Sequence, residues 1–347
     1  MNLNDDEATQ LIQSVSDDFK PKKSYQYRLG HSIWWPILAG GIAGLLLRFV
    51  FDKPSGKIYS AMLGSFIYGA PILSAMISTW LSGPVRRLKV YSCMGIGSAS
   101  ACLVVIGALL FMVEGWICAV IILPMFLLIG MATGFVMWVL YSIANEVQAR
   151  RAVYSFAVIP IIFGAIELQV APPPHEFHET VQTVFIKASP EVVWKNVLDT
   201  TLIETHFFDR SYSSMIGVPS PVEADTKMQG NGKWTRHMKW EKGVHFYGDV
   251  TELQPNTKLS WKYRFVEDSF PKGALDDHVT LTGEHFELID GSYQLTAKDG
   301  GTYLTETTHW RISTQYNAYS RFLGDILIRD TVSHLIRLMK MRSEKEG

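Results

Sequence analysis

Leu259-Ser260-Trp261-Lys262-Tyr263-Arg264-Phe265 alternates large apolar with polar side chains. Successive side chains of a strand point to opposite faces, so this period of two is the pattern of a strand with one buried face. Strands of the same kind are predicted at 180–186, 233–240, 244–251, 285–289, 293–297 and 303–312, with Lys298-Asp299-Gly300-Gly301 as a hairpin turn after 293–297. Two helices accompany them. Ser189-Pro190-Glu191 is a start signal with Ser189 as N-cap and Pro190 in the first helical position, and it leads into Val192, Val193, Trp194, Val197 and Leu198. A long terminal helix is predicted over 317–342, where Tyr319, Phe322, Leu323, Ile326, Val332, Leu335, Ile336 and Met339 recur at helical intervals. Together these elements make an α+β domain whose curved sheet can wrap its last helix.

Upstream the pattern changes. Ala171-Pro172-Pro173-Pro174 marks a boundary, because consecutive prolines lack amide donors and favour the extended polyproline form. The expected organisation is a polar N-terminal segment over 1–31, a bundle over 32–170, a linker over 171–178 and the α+β domain over 179–343. A transmembrane helix needs roughly 20 mostly apolar residues to cross a core about 30 Å thick. Four segments meet this need, 32–51, 58–81, 91–113 and 116–141; a fifth, 152–170, is shorter and carries Pro160 and Glu167. The expectation is therefore a multi-pass α-helical membrane bundle followed by the soluble domain, with the lipid bilayer as partner. Arg48, Glu114, Glu146 and Glu167 fall at span ends, where interfacial water would solvate them. The Gly40-x-x-x-Gly44 and Gly130-x-x-x-Gly134 spacings are expected to serve close packing within the bundle.

Lysine and arginine near span ends are retained on the cytoplasmic side. With five crossings one side holds Lys20, Lys22, Lys23, Arg28, Arg86, Arg87, Lys89, Arg150 and Arg151, against Lys53 and Lys57 on the other. The expected location is a bacterial cytoplasmic membrane, with a cytoplasmic N-terminus and an extracytoplasmic C-terminal domain. The first thirty residues lack the basic-then-apolar order of a cleavable signal, and Leu11, Ile12, Val15 and Phe19 share one helical face. The total charge of −1 hides a mildly basic first half and a mildly acidic second half. Neither carries the concentrated basic stripe of a nucleic-acid surface. Cys93, Cys102 and Cys118 all lie in apolar runs and suggest no ligand set. His175-x-x-His178 has no second cluster at metal spacing, and His206, His237, His245, His278, His285 and His309 are scattered. No metal and no cofactor are expected.

The run VFIKASPEVVWKNVLD over 184–199 resembles the opening strand and first helix of the SRPBCC superfamily, the START-like or polyketide-cyclase/dehydrase group. Gly300-Gly301-Thr302-Tyr303-Leu304-Thr305 resembles that family's late hairpin, and the terminal helix matches in type and place. The resemblance covers about half the chain. It implies a helix-grip fold enclosing an apolar cavity, in a superfamily of lipid and sterol carriers, hormone receptors and aromatic cyclases.

The expected cavity wall is Trp234, Arg236, Met238 and Trp240 on one strand, Leu259, Trp261, Tyr263 and Phe265 on the next, and Glu306 with Trp310 on a third. The same side chains would equally fill a closed core. Alternation turns Arg236 and Glu306 inward, as a structural bridge or as an anchor for a polar ligand group. Three functions follow from the sequence: a membrane-anchored module binding an apolar or amphipathic small molecule such as a lipid; a cyclase or dehydratase with Glu306 as its first candidate acid or base; and a structural or regulatory protein without a ligand. Neither a nucleophile elbow nor a phosphate loop is present.

Overall fold

The computed structural model describes residues 33–52, 60–82, 89–143, 146–200, 211–230, 232–275, 281 and 284–347. The N-terminal segment with its Leu11–Phe19 face and basic residues, Lys53, Lys57, Arg86, Arg87, His206 and His278 lie outside them. Among the described residues five helices come first: α1 (Trp34–Val50), α2 (Gly64–Leu81), α3 (Val90–Leu110), α4 (Trp116–Ile143) and α5 (Glu146–Val170). Four of the five are long and apolar enough to cross a membrane, namely α2, α3, α4 and the Arg151–Val170 part of α5. The short one is α1, whose 17 residues reach only about 25 Å at 1.5 Å per residue. The predicted 152–170 segment qualifies by its length and hydropathy, with Pro160 inside α5 and its ring 2.8 Å from where a Cβ on Gly69 would stand.

The chain divides into two compact units. The first holds the described residues up to Leu46, Ala70–Val104 and Phe126–Ala157. Here α3 and α4 meet through glycine: a Cβ on Gly130 would stand 2.6 Å from the carbonyl oxygen of Gly97. Ser74 Oγ and Ser100 Oγ share a 2.5 Å hydrogen bond, so these two buried hydroxyls satisfy each other.

The second unit holds Leu47–Gly69, Val105–Met125 and Val158–Gly347. Two of its charges correct the expectation of solvated span ends. Arg48 is buried and donates to Glu114 Oε1 at 2.8 Å, to the Phe51 carbonyl at 2.9 Å and to the Val113 carbonyl at 3.0 Å. Glu167 is buried as well, and its carboxylate accepts from Gly64 N at 2.6 Å and Ser65 N at 2.9 Å, capping the first turn of α2. Both satisfy backbone groups at helix ends that water would otherwise have to reach.

The rest of this unit is one eight-stranded antiparallel sheet: β1 (Glu176–Ile186), β2 (Asp199–Thr200), β3 (Pro221–Met228), β4 (Trp234–Trp240), β5 (His245–Gln254), β6 (Lys258–Arg264), β7 (Phe286–Lys298) and β8 (Gly301–Ile312). Its order is β1-β8-β7-β6-β5-β4-β3-β2, so the first and last strands are neighbours. Helix α6 (Pro190–Leu198) follows β1, a short α7 (Tyr212–Met215) precedes β3, and α8 (Asn317–Glu346) ends the chain. The sheet curls about α8 in a helix-grip arrangement, its core formed by Val332, Ile336 and Met339 of α8, Val193 and Val197 of α6, and Phe246, Leu259, Leu295 and Leu304 of the strands. β1 starts at Glu176, inside the predicted linker, because Glu176 pairs with Ile312 at the far end of β8. The β7–β8 turn places Asp299 and Gly300 at φ 55° and 74°, the left-handed pair that a two-residue hairpin uses. β3 was not legible as a strand, since Pro221, Glu223, Asp225 and Lys227 give it little apolar alternation.

Candidate functional site

Between α8 and the concave face of the sheet lies a cavity of about 270 Å³. Six of the sequence-predicted wall residues line it: Arg236, Met238 and Trp240 from β4, Trp261 and Tyr263 from β6, and Glu306 from β8. The other four lie elsewhere. Trp234, at the start of β4, is beyond the cavity and pairs with Met228. Leu259 is fully buried in the core, and Phe265, just past β6, packs on Phe246 and Phe270 with ring centroids 5.4 and 5.6 Å apart. Trp310 is sandwiched by His178 and Phe286 at 4.8 and 5.6 Å, and its indole N–H donates to Thr180 Oγ1 at 3.1 Å.

Local backbone geometry explains the position of Trp261. An added Cβ at Gly248 on β5 would stand 2.6 Å from its Cδ1, and one at Gly291 on β7 would stand 2.5 Å from its Cζ2. The indole therefore lies along the sheet over two neighbouring strands that have no side chain beneath it. Gly291 sits just after a bulge between Leu288 and Asp290. That bulge is why 285–289 and 293–297 read as two strands while the chain forms one: Asp290-Gly291-Ser292 has turn composition, but the glycine serves a close approach inside β7.

Of the ionisable groups that line this space, Glu223 and His285 among them, Arg236 and Glu306 are the buried charges. Arg236 is 2% exposed. Its Nη1 donates to the Val197 carbonyl at 2.8 Å and to Thr226 Oγ1 at 2.9 Å, and its guanidinium lies 5.3 Å from the Trp261 ring and 5.6 Å from that of Tyr293. The Val197 carbonyl belongs to the last turn of α6, where a cation is favoured. Among the described residues no carboxylate stands within ion-pair distance of Arg236. Glu306 is 4% exposed; its Oε1 accepts from Thr308 Oγ1 at 2.5 Å, and its buried Oε2 has no hydrogen-bond partner among the described residues. Burial pushes its pKa up to about 8, against a smaller opposing pull from Thr308. The two charges thus turn inward without forming the bridge that was one of the two expectations. The surrounding phenols stay neutral: burial raises Tyr263, and it pushes Tyr293 up to about 12.

The remaining wall was not foreseen as a site. Tyr293 and Thr308 share the inward faces of β7 and β8, and Leu327, Thr331 and Leu335 form one stripe of α8. Their spacing signals burial, which sequence cannot distinguish from cavity lining. Met62, just before α2, and Ile121 of α4 also line the cavity. No feature of the sequence points to them, since their place depends on packing between segments far apart in the chain. No group of metal-ligating side chains occurs among the described residues. His175 Nδ1 instead meets Ser313 Oγ at 2.6 Å.

A pH dependence follows from Glu306. Its folded pKa of about 8 lies above the unfolded value near 4.5, so between these limits the folded state holds a proton that the unfolded state has released, and stability falls as pH rises. Melting of the parent chain and of Glu306→Gln across this range is expected to converge toward the acid end. The parent should lose a few kcal/mol relative to the variant by about pH 8 and level off beyond it. A constant offset between the two would place the carboxyl in water.

No family model matches the sequence, and no curated relative matches it. Solved structures match over the C-terminal half and leave the N-terminal half unmatched. One is a di-domain aromatase/cyclase of the steffimycin pathway, 11% identical, covering 58% of this chain and 62% of that protein, with a TM-score of 0.32. This chain therefore spans less than two thirds of that protein's length. Another is the Zhui aromatase/cyclase of a Streptomyces species, 10% identical, covering 50% of this chain and 97% of that one, with a TM-score of 0.31. A third is norcoclaurine synthase from Thalictrum flavum, 5% identical over 48% and 92%, with a TM-score of 0.30.

Proposed function

We propose that this chain is a membrane-anchored helix-grip protein whose cavity holds a small amphipathic molecule. The apolar body of the ligand lies against Trp240, Trp261, Tyr263 and the α8 stripe, and its anionic or hydrogen-bonding end meets Arg236 and Glu306. The observation that carries this reading is Arg236: a buried cation facing a cavity without a carboxylate partner among the described residues. Desolvating a charge is costly unless something compensates it. The Val197 carbonyl and two aromatic rings offset part of that cost, and an anionic ligand group would offset more. The cavity's 270 Å³ lies just below the usual range of about 300–1,000 Å³, which favours a small amphiphile over a two-chain phospholipid.

The cyclase/dehydratase reading draws on a separate observation, the unpartnered Oε2 of Glu306. A carboxyl that keeps its proton near neutral pH can donate it to a substrate oxygen. Purification of the full chain in mild detergent, followed by native mass spectrometry, tests the binding reading directly. The expected spectrum shows one small adduct per chain, lost on delipidation and restored by pyrenebutyrate. A chain that is bare throughout and takes up no probe would leave only a structural role.

The anchoring rests on the apolar helices and on the asymmetry of lysine and arginine. With five crossings, reporter fusions at Gly347 and after Arg151 should report opposite compartments, with Gly347 outside. Two cytoplasmic signals would remove the fifth crossing and put the cavity on the cytoplasmic side.

A further inference from the structure

The cavity is not closed by the sheet and α8 alone. Met62 and Ile121, contributed by the ends of apolar helices, form part of its wall. The start of α8 is tied to them: the Tyr316 hydroxyl donates to Met62 Sδ at 3.5 Å, and the Tyr319 hydroxyl donates to the Ile121 carbonyl at 2.5 Å. Gln315 Nε2 donates to the Ala171 carbonyl at the end of the α5 segment. Tyr316 itself lines the cavity, and burial raises its pKa.

The segment beside this end carries the same signature. An added Cβ on Gly217 would stand 3.6 Å from Ile117 Cγ1 and 3.7 Å from Trp116 Cδ1, which brings the stretch after α7 against the first turn of α4. Tyr212 and Met215 of α7 are exposed, as are Trp116 and, at the end of α3, Leu110, Phe111 and Met112. Tryptophan and tyrosine at helix ends mark the level of the membrane interface. α7 is held in place by Asp330 of α8, whose Oδ2 accepts from Ser211 Oγ at 2.7 Å, Ser213 N at 2.9 Å and Ser213 Oγ at 2.5 Å.

We infer that the cavity loads from the bilayer, through the end where Met62 and Ile121 meet the start of α8, and that its ligand is a membrane-partitioned amphiphile that enters this way. This rests on the binding reading and membrane location proposed above. An apolar molecule in the hydrocarbon phase would reach the cavity past side chains as apolar as itself, with no step through water. Met62 and Ile121 are then portal residues, acting on the rate of loading, while Arg236 acts on affinity.

The test uses the full chain in phosphatidylcholine vesicles, with pyrenebutyrate as probe and energy transfer from tryptophan as readout. Ile121→Phe and Met62→Phe narrow the helix-side end without touching Arg236. Association and release are expected to slow together by about 10-fold, with equilibrium affinity staying within about 3-fold of the parent. Ile121→Ala, which keeps the fold under less strain, should load at least as fast as the parent. Unchanged rates in all three variants, with Arg236→Met still weakening binding, would overturn the bilayer route and leave the binding site intact. Affinity falling in step with the association rate would also overturn it, since the two residues would then hold the bound ligand rather than control its entry. A parent chain that never binds the probe removes the binding reading and this inference together.

Discussion

Trp261→Ala is expected to destabilise the second unit by about 3–5 kcal/mol, the usual cost of deleting a buried tryptophan side chain. The indole is 2% exposed and lies over Gly248 and Gly291, so its loss uncovers two strands at once. The sequence leaves open whether Trp261 lines a cavity or fills a closed core. Burial at this level predicts a large fall in melting temperature. A double-mutant cycle isolates the cause. Gly291→Ala alone would place a methyl group against Cζ2 and cost about 1–3 kcal/mol by overpacking, whereas in the Trp261→Ala background it should cost far less. Thermal melts of the four chains, followed by fluorescence of the remaining tryptophans, supply the coupling energy. Strictly additive effects would mean that the indole does not lie over Gly291.

Arg236→Met should separate ligand recognition from stability. Met approximates the length of the arginine stem, removes the charge and leaves the aromatic rings in place. Removing one partner of a buried charge–charge contact typically costs about 2–5 kcal/mol. Binding of pyrenebutyrate is therefore expected to weaken by about 30-fold or more, while pyrenebutanol, which has the same apolar body and no charge, should change by less than about 3-fold. Melting temperature should hold or rise, because an apolar side chain of similar size replaces a poorly compensated buried cation. Titration of each probe by energy transfer gives both affinities. Equal loss of the two probes, together with a lower melting temperature, would reduce Arg236 to a cap on the last turn of α6.

The α+β fold was legible wherever a single periodicity dominated. β6 and β8 alternate along their whole length, and this alternation turned Trp261 and Glu306 inward, as the shorter alternation of Arg236 with Met238 did on β4. β7 defeated the same reasoning, because Asp290-Gly291-Ser292 has the composition of a turn while the chain uses it for a bulge and for room under Trp261. β3 failed for the opposite reason: it carries few apolar side chains and is held mainly by its ladder with β4. In the helical half, length and hydropathy identified the apolar segments, but not that Glu167 caps α2 or that Arg48 is buried against Glu114.

Local pattern by itself determined the strand faces, the Asp299-Gly300 hairpin and the inward direction of the two charges. Periodicity, proline and glycine each act over a few residues, so one sequence suffices to read them. Only the tertiary structure decided that Arg236 and Glu306 share a cavity without pairing, that Trp261 lies over two glycines from different strands, and that Met62 and Ile121 complete the wall. Those facts depend on distances between side chains remote in the chain, which are set by sheet register, by the curl of the sheet about α8 and by where the helices end.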